Sequence, residues 1–98
     1  MAEINVKEKS SSDESFVFDV EVVESDTKTA HTVEVRKPYY EKLTGRKIPP
    51  EDLIKKSFEF LLEREPKESI LRQFNLTKIS YYFPEYEDEI TSSIQTAQ

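Results

Sequence analysis

Between Pro49 and Phe83 the chain carries apolar residues at helical spacing, cut by prolines into short pieces, and no catalytic group. Leu53, Ile54, Phe58, Leu61 and Leu62 recur at the interval of one helix face. Pro50 suits a first helical turn, and Glu51 and Asp52 place negative charge at the positive end of the helix dipole. Pro66 ends that pattern, since proline supplies no backbone donor. Ile70, Leu71 and Phe74 predict a second helix that Asn75 ends. Leu76, Ile79 and Phe83 predict a third short face before Pro84, with Tyr86 and Ile90 continuing as a final turn or two.

Upstream the period changes to two. Phe16, Phe18, Val20 and Val22 share one strand face, and Val17, Asp19, Glu21 and Val23 the other. Glu24 to Lys28 is rich in turn formers, and His31, Val33 and Val35 then define one face of a second strand. Two such runs joined by a short polar turn predict an antiparallel hairpin. A lone hairpin is marginal, so its apolar face needs a cover. The expected fold is therefore α+β, an N-terminal antiparallel β-hairpin covered on one face by three or four short helices. Pro38 to Leu43 is expected to form a short helix stopped by Gly45, the only glycine.

Ninety-eight residues suffice for one domain. Residues 1–15 are expected to form a flexible arm, because the run Ser10 to Ser15 buries nothing; Ile4 and Val6 alternate with polar neighbours, which is thin evidence for an edge strand there. Residues 16–90 are expected to be the α+β domain, and residues 91–98 a frayed tail. No stretch approaches membrane-spanning length, and no N-terminal apolar segment has signal-peptide length. With no cysteine, disulfides and thiolate chemistry are excluded. These features predict a soluble cytoplasmic protein without membrane partners.

Catalysis finds little to work with. The single histidine, His31, shares a strand face with Val33 and Val35, which predicts a partly buried structural residue. One glycine cannot build a phosphate-cradling loop. Glu85, Glu87, Asp88 and Glu89 lack the spacing and glycine of a calcium loop, so they predict a solvated acidic turn. No enzyme, metal or cofactor is expected. The net charge of −6 disfavours nucleic acid, although its distribution is uneven. Residues 1–37 hold nine acids and five bases, residues 38–83 seven and nine, and residues 84–98 four acids and no base.

Two local patterns resemble DNA readers. TVEVRKPYYEKLTGRKIPPEDLIKKSFEFLLERE resembles the ribbon-helix-helix layout, which implies a dimer with Thr32 and Arg36 facing the groove. ESILRQFNLTKISYYF (Glu68 to Phe83) resembles a helix-turn-helix, which implies Lys78 on the reading helix. The first is opposed by Glu34 on the reading face and by an in-chain partner strand at Phe16 to Val23.

The tyrosines supply the other candidate surface. Tyr81, Tyr82 and Tyr86 lie beside Glu85 and Glu87, and tyrosine is enriched where proteins meet. From His31 to Ile90, and above all in SFEFLLEREPKESIL and ISYYFPEYEDEI, the chain resembles a family of small prokaryotic proteins with no assigned activity. That resemblance implies a shared fold and carries no functional residue. The functional expectation is a non-catalytic binding or regulatory module for another protein, as a monomer or homodimer. The alternative is a DNA-binding regulator.

Overall fold

A computed structural model describes residues 2–96. Three consecutive antiparallel strands come first: β1 (Glu3–Ser11), β2 (Ser15–Glu24) and β3 (Thr27–Arg36). Two helices follow, α1 (Lys37–Thr44) and α2 (Pro50–Leu62), and then a 3-10 turn at Lys67–Ser69. The chain returns to the sheet as β4 (Gln73–Asn75) and closes with α3 (Thr77–Tyr82) and α4 (Tyr86–Thr96). The sheet order is β1-β2-β3-β4, with β4 parallel to β3.

The hairpin lies where period-two alternation placed it, with Phe18 opposite Val33 and Val20 opposite His31. Its turn uses Ser25 at φ 53°, and Thr27 Oγ1 donates to the Glu24 carbonyl at 3.2 Å. In α1, Pro38 occupies the first turn and Gly45 the left-handed C-cap at φ 58°, its N–H donating to the Glu41 carbonyl at 2.8 Å. In α2, Pro50 opens the first turn beside Glu51 and Asp52.

One interior gathers these elements. Ile4, Phe18, Val20, Val22, Val33 and Val35 from the strands join Leu53, Ile54, Phe58, Phe60 and Leu61 from α2, and Ile79, Tyr86, Ile90 and Ile94 from the C-terminal helices. Alternate residues Asp19, Glu34 and Arg36 are exposed. Ser57 Oγ donates to the Leu53 carbonyl at 2.7 Å and so accepts from the Tyr86 hydroxyl at 2.6 Å, satisfying both groups inside the core.

Three expectations need correction. Residues 1–15 are not a flexible arm: Glu3 to Ser11 pair with β2, Ile4 is buried and Val6 packs on the core. Two apolar residues were enough, because the open edge of β2 offers partners to the backbone groups of β1 that face it. The tail expected to fray from residue 91 is helical through Thr96, anchored by Ile90 and Ile94; residues 97 and 98 lie outside the described part.

The helix expected between Pro66 and Asn75 does not form either. Ser69 N–H bonds the Pro66 carbonyl at 2.9 Å, and Ile70 then turns extended at ψ 133°. The Leu71 carbonyl accepts from His31 Nδ1 at 2.8 Å and the Arg72 carbonyl from Thr32 N–H at 2.7 Å. A helix would spend those carbonyls internally, whereas β3 captures them and draws the segment into the sheet. Without that helix the helix-turn-helix pair is absent, and β3 is paired on both sides within one subunit, which leaves no ribbon strand for a twin.

Candidate functional site

The 3-10 turn, β4 and α3 meet the end of α2 around a groove of about 380 Å³. Its walls are apolar: Leu61 from α2, Ile70 and Leu71 from the extended segment, Phe74 from β4, and Ile79, Tyr82 and Phe83 from and after α3. Glu65 and Lys78 are the charged residues among its lining. Burial pushes the Glu65 carboxyl above the usual carboxylate range.

The groove is held in shape by polar anchors behind it. A carbonyl only accepts, so the bond to Leu71 places the His31 proton on Nδ1, and Nε2 accepts from Thr29 Oγ1 at 2.8 Å. The ring packs on Phe58 at 5.3 Å, and Phe58 lies 6.1 Å from Phe74. Burial lowers the imidazole below its ordinary 6.5; the Leu71 bond opposes the shift and the Arg72 charge adds to it. Lys67 is 4% exposed, with Nζ 2.6 Å from Glu68 and 3.5 Å from Glu24, which ties the 3-10 turn to the end of β2. Arg64 stacks on Phe60 at 3.6 Å and bonds Glu85 at 3.1 Å and Glu89 at 2.7 Å, clamping the end of α2 to α4.

The five residues expected to form a contact patch divide sharply. Tyr81 is 77% exposed and Tyr82 58%, their rings edge to face at 5.4 Å. Tyr86 is fully buried against Phe60 at 5.2 Å, a correction to its place on the surface. Its hydroxyl reaches Ser57, which lets α4 bury an aromatic edge that a solvated tyrosine would leave in water. Glu85 is committed to Arg64, and its own backbone N–H together with that guanidinium holds its carboxyl low. Glu87 accepts from Tyr39 at 2.8 Å and pairs with Lys42 at 3.2 Å, and the Tyr39 bond is the main cause of its lowered pKa. These carboxylates join α1, α2 and α4 to one another.

The candidate DNA contacts are not brought together. Thr32 Oγ1 donates to Asp19 at 3.3 Å on the sheet, Arg36 stands exposed before α1, and Lys78 lies on α3 over the Tyr81 ring at 5.6 Å. The sequence assigns no functional role to Leu71, in the groove wall, or to Arg72, beside it. Leu71, 44% exposed, has the sequence signature of a core residue because Ile70, Leu71 and Phe74 mimic a helix face. Arg72, exposed and just before β4, carried no signal at all; among the described residues neither it nor Lys78 joins an ion pair. Compared with family models, curated proteins and solved structures, the chain matches none.

Proposed function

We propose that this protein is a non-catalytic binding module that receives an apolar side chain from a short segment of another protein in the groove between α2, β4 and α3. One observation carries the reading. Of the large apolar side chains most open to water among the described residues, Leu71 and Tyr82 line this groove, and the third, Tyr81, packs edge to face on Tyr82. Scattered apolar exposure is ordinary, whereas a contiguous patch rimmed by charge marks a contact surface. Tyrosine adds large amphipathic area at small entropic cost. We take the helices to lie on the sheet face of Phe18, Val20 and Val33, so that the groove opens where that helical layer ends at β4.

The test begins with a protein recovered from the native host and rebuilt from purified components. Leu71→Asp and Tyr82→Ala should each weaken the reconstituted complex about tenfold or more by calorimetry, with unchanged circular dichroism. A complex indifferent to both substitutions would place binding elsewhere.

A further inference from the structure

We propose that the partner segment enters as a fifth strand along β4, with one side chain opposite Phe74 filling the groove and carboxylates beside Arg72 and Lys78. The inference rests on the groove as a protein-docking site and specifies how it is occupied.

The backbone supplies the first argument. Thr32 N–H bonds the Arg72 carbonyl, and Leu76 N–H bonds the Glu34 carbonyl at 2.8 Å. With Thr32 opposite Gln73 and Glu34 opposite Asn75, alternation along a parallel ladder turns both Phe74 groups toward β3. The N–H and C=O of Gln73 and Asn75 therefore point away from the sheet, where no strand among the described residues pairs with them. A guest strand would satisfy them, as in strand addition to other sheet edges. Side chains alternate across a sheet, so the guest residue beside Phe74 falls on the Phe74 side, where the groove lies.

Charge selects the guest. On the Phe74 side of β4, Arg72 and Lys78 stand without ion-pair partners against one groove acid, Glu65, whereas Glu34, opposite Asn75, alternates to the other face. Acids outnumber bases 20 to 14 in the whole chain, so a net cationic flank is a local departure. It suits an extended segment with an apolar residue between carboxylates. A second copy fits poorly: two β4 strands paired about Phe74 would crowd both Arg72 and both Lys78 along one short junction.

The experiment follows backbone amide shifts of the 15N-labelled full chain during titration with a pool of short capped peptides. These alternate apolar and polar residues and carry aspartate at both flanks. Matched pools carry lysine flanks or methyl groups on the backbone nitrogens. The aspartate pool should shift Leu71, Gln73, Asn75 and Tyr82, and both matched pools should bind about tenfold weaker or less. Gln73→Pro removes one outward donor, leaves the Phe74 bonds intact, and should weaken binding similarly with an unchanged thermal midpoint. Binding that tolerates backbone methylation yet is lost in Leu71→Asp would remove the added strand and keep the groove. If no pool shifts Leu71 or Tyr82, both readings fall. A concentration-dependent dimer abolished by Gln73→Pro would put a second copy at this edge.

Discussion

The sheet ends in two edges that are treated in opposite ways. β1 is nine residues long and presents Lys7, Glu8 and Lys9 near a register shift between Glu8 and Ser10. Charge and an irregularity are the usual means of keeping a long edge from pairing with other chains. β4 has three residues, Gln73, Phe74 and Asn75, with no charge and no shift in its ladder. Beside it lie an apolar groove and unpaired cations. Shortness alone limits what β4 captures by accident, so the proposed strand addition would draw on the side-chain groove as well as on main-chain bonds. An edge that is guarded and an edge that is furnished are thus distinguishable within one small sheet.

The sharpest way to break the contrast is to undermine β4 from beneath. Phe58 is fully buried between His31 and Phe74, and Phe58→Ala should cost about 3–5 kcal/mol by denaturant unfolding. Amide exchange should rise at Phe74 and Leu76 before it rises along β1; equal loss at both edges would show that Phe58 supports the sheet generally.

His31 comes next. His31→Ala leaves the Leu71 carbonyl without its side-chain donor and should cost about 1–3 kcal/mol. The same residue has a signed pH effect. Its folded-state pKa is lowered from 6.5, so the unfolded chain binds the proton more readily. The stability this group contributes is present above 6.5 and is lost as pH falls through the folded value. Wild type should therefore lose more thermal stability than His31→Gln between pH 7.5 and 5.5, and equal losses would assign the pH dependence to the carboxylates.

At the guarded edge, replacing Lys7 and Lys9 together by valine should leave the unfolding midpoint nearly unchanged but produce concentration-dependent association in sedimentation velocity. A variant that stayed monomeric would show that the register shift is guard enough. The smallest effect belongs far from the groove. Lys28 pairs with Glu21 at 3.4 Å with both side chains well exposed, and Lys28→Ala should change stability by about half a kcal/mol or less.

How much of this was legible beforehand follows the strength of local signals. The hairpin was plain because Phe18, Val20, Val33 and Val35 alternate without interruption, and α2 because Leu53, Ile54, Phe58 and Leu61 repeat over three turns. β1 was not, since Ile4 and Val6 mean little until β2 is known to have an open edge. β4 was misread for a different reason. A short apolar run after a proline fits either period, and the arbiter is the pair of carbonyls at Leu71 and Arg72 claimed by a strand forty residues away. The candidate patch was half legible: Tyr81 and Tyr82 are exposed, whereas Tyr86 is interior because Ser57, invisible as a partner in sequence, receives its hydroxyl.

Because β4 runs parallel to β3, the chain must first make α1 and α2 before it can return to the sheet. During synthesis the three antiparallel strands can assemble early, and β3 is then the bare margin, with Thr32 N–H and the Glu34 carbonyl awaiting partners that emerge much later. A nascent or truncated product stopping before Arg72 would present that margin to its neighbours on the polysome. Completing the rest of the polypeptide both retires this hazard and sets a new, much shorter outer rim in its place.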